Sequence, residues 1–482
     1  MKHYKLIILL FFTVNLISQD LGKINASIER YFNKGIFTSS NASVSVIDIS
    51  SQEEIIAYRS QKNLVPASSL KLFINLIALQ VLGPNFTYET TVAYSGKIRA
   101  DGTLEGDIII VGGGDPSLGS KKIKGTYSMD QFLELVCNKI LSVGINCIKG
   151  NLIIDESIFD SYPVAPTWQW NDLGNYYATG AWGFNINENL YAIGFNNNGP
   201  IGSVPKINYV KPSINNLKLS NEISIDSSHT GDQAYIFGGP YNYDKRIVGT
   251  IPQGKNGFQI KGSIPDPPKF FGEKLRQKLI SENIQSDDLK VLVKPYKKKY
   301  KIIWNYKSPP LKSIARLANL ESHNLFTESN LKIMGLKERG QGSGQNGIAV
   351  VKKHLKSYGI NNSNIIIHDG SGLSARNNIS SFAMASFLSK YADEMSIKEA
   401  TLLLPKGGYQ GTVKHMFKNK NIKGRIWLKS GSMEGVQSYS GYFYSNSKKW
   451  YSFSIIVNGF SVKGRRVRKA IEAFISDLYQ KI

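Results

Sequence analysis

Three observations predict a mixed α/β protein whose core domain is split by a long insert. Alternating strand patterns at 42–49 and 54–59 feed a helical stretch near residue 70, and helix and strand return together after Ser308-Pro309-Pro310. Between them, from about 91 to 301, the chain is rich in Gly, Asn and Pro. Its short apolar runs there, 108–111, 152–154, 234–237 and 291–293, are spaced as strands. The third observation is size: 482 residues, 41% of them hydrophobic, suffice for two or three domains with ample core. The expected organisation is a leader at 1–18, core at 19–90, one or two β-rich inserted domains at 91–301, and core again at 302–482.

Each element has a local reason. Lys2 and Lys5 precede an apolar run, 6–17, that is too short to span a bilayer comfortably and is followed by Ser18, Gln19 and Asp20. This predicts a cleaved secretory signal and an exported, soluble mature protein. Residues 25–36 read as helix and 42–49 with 54–59 as a hairpin running into the helix that carries Ser68 and Lys71. Helical periodicity marks 129–143 inside the insert. It returns at 314–334 and 347–358, then strands at 425–429, 437–445 and 451–458 precede an amphipathic helix at 463–478.

Composition narrows the function classes. The net charge is +23, and removal of Lys2 and Lys5 leaves 57 basic against 36 acidic residues, +21. Such a balance favours anionic surfaces and is compatible with peripheral association with an anionic cell envelope. The basic residues are scattered apart from 297–301, with no nucleic-acid module around them, so no nucleic-acid partner is expected. Cys137 and Cys147 could pair in an oxidising compartment or remain as free thiols. The six histidines lack metal-ligand spacing, so neither a metal nor a cofactor is expected.

Three short motifs carry chemistry. Ser68-Ser69-Leu70-Lys71 sets a hydroxyl and an amine one helical turn apart, so a desolvated lysine can take the serine proton. Ser322-His323-Asn324 offers a hydroxyl to relay a proton and a carboxamide to hold an amide, provided it lies on a loop facing the nucleophile. Lys429-Ser430-Gly431-Ser432 follows the strand-like stretch 425–428. There an ammonium and a hydroxyl suit a carboxylate, and glycine lets a substrate backbone lie alongside. Each motif alone is weak, and each has an ordinary structural reading as a cap, a polar helix end or a turn.

Their order is more specific, because Ser-x-x-Lys with Ser-Asp-Asn and Lys-Thr-Gly marks penicillin-binding proteins and class A β-lactamases. About 250 residues separate Lys71 from Ser322, far more than in a β-lactamase. The chain resembles the class C, low-molecular-mass penicillin-binding proteins, the D-alanyl-D-alanine carboxypeptidase/endopeptidase family, from about residue 40 to 480. Further matching segments are 112–118, Trp168-x-Trp170-Asn171-Asp172 with Tyr176-Tyr177-Ala178, Asp369 to Ser374 with Arg376-Asn377, 404–412, and 435–442.

The resemblance implies a serine β-lactamase/transpeptidase-like core and a peptidoglycan-directed serine hydrolase. Ser68 would be the nucleophile and Lys71 its base, with the N–H groups of Ser68 and Ser432 holding the oxyanion. Ser322, with Lys71 or Lys429, would return a proton to the leaving nitrogen, and Asn324 would hold the substrate amide. Lys429, Ser430 and Gly431 would receive the terminal carboxylate. A pocket for the third stem-peptide residue would use Asp172, with Tyr177, Arg376 and Met433 lining it. β-Lactams would acylate Ser68 and inhibit, the location would be the periplasm or cell envelope, and a homodimer is compatible with the sequence.

Two departures stand out: His323 where the family usually has aspartate, and Ser430 where threonine is commoner. The rival readings are a β-lactamase or esterase on the same fold, and a non-catalytic peptidoglycan-binding protein. The first would not be expected to keep the insert with Asp172. The second should show a broken triad, and none is broken here.

Overall fold

A computed structural model describes residues 28–255, 257–286, 288–361, 363–418 and 420–482, so the expected leader lies outside the described residues. The fold is mixed α/β and packs as two compact units. One holds the described residues up to Ile77, with Ala318–Ser322 and Val351–Ile482; the other holds Ala78–Leu317 and His323–Val350.

The first unit is built on a five-stranded antiparallel sheet. Its strands are β1 (Asn41–Asp48), β2 (Glu54–Tyr58), β3 (Ile426–Met433), β4 (Val436–Tyr444) and β5 (Trp450–Asn458), in the order β3-β4-β5-β1-β2. The helices that matter for the site are α1 (Lys71–Leu82), α2 (Leu311–Glu321), α3 (Asn324–Arg339), α4 (Ser381–Met395) and α5 (Gly464–Lys481).

Period-two alternation sorts the two faces of that sheet. Val44, Val46, Tyr439, Phe443, Phe453, Ile455 and Val457 share one core with Val467, Ile471, Phe474 and Leu478 of α5. The opposite face carries small buried hydroxyls, Ser43, Ser440, Ser452 and Ser454, and α4 packs on it. Ser43 Oγ meets Ser381 Oγ at 2.6 Å. Ser452 Oγ donates to the Ala385 carbonyl at 2.8 Å, and the Tyr442 hydroxyl to that of Leu388 at 2.8 Å. Small side chains let the helix lie close. Satisfying each hydroxyl avoids a desolvation cost of about 1–3 kcal/mol.

The second unit has a five-stranded mixed sheet in the order Lys290–Val293, Asn151–Asp155, Ile108–Val111, Glu89–Tyr94, Lys301–Lys307. Helices Met129–Ser142 and Pro267–Ser281 share its core through Phe132, Val136, Phe271 and Leu275. Ser128 and Gln131 cap the first of these reciprocally. Three three-stranded sheets join it in this unit, centred on Thr103–Glu105, Leu190–Asn196 and Asp244–Pro252.

Four features differ from the sequence expectation. The helical pattern over 314–334 is two helices, broken where Ser322 takes φ 61° between α2 and α3. Helix Pro267–Ser281 is a second helix in an insert expected to be mostly β with one helix; Asp266 caps it by accepting from the Lys269 N–H at 3.0 Å and Pro267 opens it. Helix α4 was also unread. It is buried on most sides, so it has no polar stripe from which a period could be seen. The stretch 429–432, expected just past a strand, lies within β3 itself.

Helix α3 is anchored by a buried cation. Lys332 is 4% exposed, and its Nζ donates to Asp160 at 2.8 Å and to the carbonyls of Tyr162 and Ala181 at 2.7 and 3.0 Å. Burial, opposed by Asp160, leaves its pKa below the ordinary value. Lys332→Ala strands the Asp160 carboxylate and should cost about 3–5 kcal/mol. Chemical unfolding followed by tryptophan fluorescence measures this, and an unchanged midpoint would refute the anchoring role.

Candidate active site

Pro66 opens a 3-10 turn, Ala67–Leu70, that runs straight into α1, so Ser68 and Lys71 sit at the junction of two helical segments. Lys71 is fully buried, and its Nζ reaches Ser68 Oγ at 3.0 Å and the Ser371 carbonyl at 2.5 Å. That carbonyl belongs to a turn organised by Asp369. Its carboxylate accepts from the N–H groups of Gly372 (2.9 Å) and Ser374 (2.7 Å) and from Asn377 Nδ2 (2.7 Å). Gly372 has φ 75°, and a Cβ there would stand 2.0 Å from the Ala67 carbonyl oxygen, so only glycine lets this turn back the nucleophile.

Strand β3 brings the second amine. Lys429 is fully buried, and its Nζ donates to Ser322 Oγ at 2.9 Å and to the Ser430 carbonyl at 2.6 Å. Burial first, and the charge of Lys71 second, push this amine well below its ordinary pKa. Gly431 pairs with Ser438. A Cβ on it would lie 2.3 Å from Ser438 Oγ and 2.9 Å from the Ser68 backbone nitrogen. The missing side chain therefore sets how closely the strand approaches the nucleophile turn.

Ser322, in the loop between α2 and α3, is held with positive φ. The side chain of His323 is engaged by Glu188. Its Nε2 meets Glu188 Oε2 at 2.8 Å, and its ring stacks on Phe326 with centroids 4.2 Å apart. Glu188 also accepts from Ser120 Oγ at 2.9 Å and pairs with Lys122 at 3.3 Å. Burial alone would raise this carboxyl; the hydrogen bond and charge of His323, then Lys122 and Ser120, outweigh it and hold it at about 2. Next in the chain, Asn324 opens α3 and donates through Nδ2 to the Tyr177 carbonyl at 2.7 Å.

Ser68, Ser322, Ser430 and Ser432 line one cavity of about 190 Å³, together with Thr412, Gln437, Tyr439 and Arg468. Thr412 Oγ1 lies 2.7 Å from Ser430 Oγ. A buried amine against one hydroxyl, a second buried amine against another, and further hydroxyls around an open pocket form a set suited to acyl transfer.

Asp172 and Tyr177 belong to the other unit and meet there, the tyrosine hydroxyl donating to Asp172 at 3.1 Å. Burial raises both groups, and the neighbouring carboxylate adds to the rise of Tyr177. Arg376, just after the Asp369 turn, and Met433, the last residue of β3, lie in the first unit. Cys137 and Cys147 are both free thiols. No cluster of potential metal ligands occurs among the described residues.

Sequence reasoning assigned no role to the Ser371 carbonyl, Thr412, Glu188, Gln437, Tyr439 or Arg468. Thr412 and Ser371 at least fall in matching segments. Glu188 and Arg468 lie more than a hundred residues from Ser322 and Ser68 and carry no spacing signal.

The site thus sets a serine hydroxyl against a buried lysine amine twice, Ser68 with Lys71 and Ser322 with Lys429. The chain belongs to the D-Ala-D-Ala carboxypeptidase 3 (S13) family, whose pattern matches residues 24–480. It is 24% identical over 443 residues to the D-alanyl-D-alanine carboxypeptidase DacB of Haemophilus influenzae, covering 89% of each chain. The fold is similar to the crystal structure of penicillin binding protein 4 (dacB) from Haemophilus influenzae, with a TM-score of 0.80 at 23% identity. That match covers 92% of this chain and 97% of the other. A predatory peptidoglycan endopeptidase from Bdellovibrio bacteriovorus is also similar in fold, with a TM-score of 0.52 at 14% identity over 92% and 93% of the two chains.

The Glu188 pair gives a pH prediction with a definite sign. A carboxyl held at about 2 against an ordinary 4.5 contributes stability that is complete above pH 4.5 and is lost as pH falls towards 2. The contribution is about 3 kcal/mol. Unfolding of wild type and Glu188→Gln should differ by this amount at neutral pH and converge by pH 2; a gap that does not change with pH would contradict the assignment.

Proposed function

We propose that the protein is an exported serine D-alanyl-D-alanine carboxypeptidase/endopeptidase that cleaves peptidoglycan stem peptides and crosslinks through an acyl-enzyme on Ser68. The observation that carries this reading is the fully buried Lys71 amine 3.0 Å from Ser68 Oγ, with Lys429 against Ser322 beside it. Family membership supplies the substrate class.

Two buried ammonium groups repel, so the pair gains by leaving one amine neutral; a substrate carboxylate against Lys429 keeps that amine charged and leaves the neutral state to Lys71. A neutral Lys71 takes the Ser68 proton as Oγ bonds to the carbonyl carbon of the penultimate D-alanine. The N–H groups of Ser68 and Ser432 receive the oxyanion. The C–N bond then breaks, and the leaving nitrogen takes the Ser322 hydroxyl proton, which the proton held by Lys71 replaces, directly or by way of Lys429, so that Lys71 is neutral again. Asn324, its Nδ2 engaged by Tyr177, offers Oδ1 to a substrate amide N–H. Lys429 and Ser430 hold the carboxylate of the leaving residue, and Gly431 leaves room for its backbone. Water, giving its proton to Lys71, releases the acyl group. A β-lactam forms the same ester and leaves slowly.

The third-residue pocket is assigned to Asp172 and Tyr177, with Arg376 and Met433. The stretch 91–301 is read as the insert that supplies the first two, and a free ammonium on the substrate suits Asp172. The workplace is the periplasm or cell envelope. Among the described residues no helix is long and apolar enough to cross a membrane.

Labelled penicillin should form a long-lived adduct that disappears in Ser68→Ala. Lys71→Ala should slow acylation by about 10²- to 10⁴-fold. Mass spectrometry of purified crosslinked peptidoglycan after incubation should find free D-alanine or monomeric muropeptides. Rapid turnover of the drug would indicate a β-lactamase instead, and absence of both products and adduct would end the proposal.

A further inference from the structure

The cavity beside Ser68 contains one group with a permanent charge among the described residues that line it, and it comes from none of the three motifs. Arg468 stands on α5, the C-terminal helix, and lines this cavity with Ser430, Ser432 and Thr412. No carboxylate shares the lining. Lys429, the cation that the motif supplies, is fully buried, tied to Ser322 and to its neighbour's carbonyl, and depressed by Lys71. An anion entering the cavity therefore meets hydroxyls and a guanidinium, with the charge of Lys429 weakened behind them.

The neighbours of Arg468 form a connected set. Its guanidinium hydrogen-bonds the buried Tyr439 hydroxyl, which burial pushes up to about 12 against the opposing charge of the arginine. Tyr439 donates to Gln437 Oε1 at 3.0 Å, and Gln437 Nε2 donates to Ser432 Oγ at 2.6 Å. Because that oxygen accepts from Gln437, its own proton is directed elsewhere. Alternation along paired strands puts Ser430, Ser432, Gln437 and Tyr439 on one face of the β3-β4 edge, opposite to Lys429 and Gly431. Tyr439 on that face shares the core with α5, beside the more open Ser430 and Ser432.

We infer that Arg468 is a specificity-determining residue that reads the carboxylate next to the scissile nitrogen, in partnership with the hydroxyls of Ser430 and Ser432. The inference rests on the acyl-enzyme reading of Ser68. The ligand class is an α-carboxylate borne by the leaving amine, whether that of a terminal D-alanine or of a D-centre in a crosslink. A guanidinium grips such a group in a planar, two-point fashion that a point charge cannot match. It acts by binding and takes no part in proton transfer.

The test compares acylation of Ser68 by benzylpenicillin and by its methyl ester, which lacks the anion, in wild type, Arg468→Gln and Arg468→Lys. Wild type should prefer the acid. Arg468→Gln should lose about ten- to a hundredfold in the second-order rate with the acid and keep its rate with the ester, so the preference collapses. Arg468→Lys should recover part of it. An unchanged acid-to-ester ratio in Arg468→Gln overturns the inference, and so does an equal loss on both compounds. If wild type forms no adduct with either compound, the Ser68 reading itself fails, a result separable from the role of Arg468.

Discussion

Two lysine amines buried within each other's field set the terms for the rest of the site. Removing a charged amine from water costs several kcal/mol even after relaxation, and two like charges side by side raise that cost. The protein offsets it with close oxygens: the Ser371 carbonyl and Ser68 hydroxyl for Lys71, the Ser430 carbonyl and Ser322 hydroxyl for Lys429. Those oxygens must stay within about 3 Å, which is why the surrounding backbone tolerates so little. Gly372 and Gly431 leave no room for a Cβ, and the Asp369 carboxylate pins the turn that presents Ser371.

The same economy explains the odd residue between Ser322 and Asn324. A histidine at this position needs a partner, and Glu188 supplies it from a turn in which Asn187, Glu188 and Asn189 all have positive φ, between 53° and 56°. Left-handed backbone of this kind costs about 1–2 kcal/mol per residue away from glycine. Asparagine side chains make it bearable by bonding nearby backbone: Asn189 Oδ1 accepts from the Ile186 N–H at 3.1 Å, and Asn187 Nδ2 donates to the Leu190 carbonyl at 2.8 Å. Asn189 Nδ2 also holds Asn185 at 2.8 Å. Strain is thus concentrated in one turn whose product is a buried carboxylate aimed at His323.

Local chemistry was the most readable part of the sequence. The hairpin, the Ser68 turn, helix Met129–Ser142 and the last three strands follow from period and propensity. The three motifs could be placed in order because their spacing is short. The break at Ser322 was harder to see, since a left-handed serine leaves no mark in a continuous apolar period. Helix α4 was hidden by its burial, and helix Pro267–Ser281 by a start, Asp-Pro-Pro, that looks like a loop. Partners drawn from far along the chain, Glu188 for His323 and Arg468 for the serine-lined cavity, left no trace because one sequence records identity and not proximity.

The sheet order has a consequence in time. Strand β1 lies between β2 and β5, so residues 41–48 find one of their two neighbours only when residues 451–458 have been made. Lys71 meets its carbonyl 300 residues downstream. Such long-range closures are slow, because loop entropy is lost before the contacts repay it. The strands and turns that surround Ser68 and Lys71 therefore come together only when the last part of the sequence is present. Topology thus ties the finished site to the last strands of the chain.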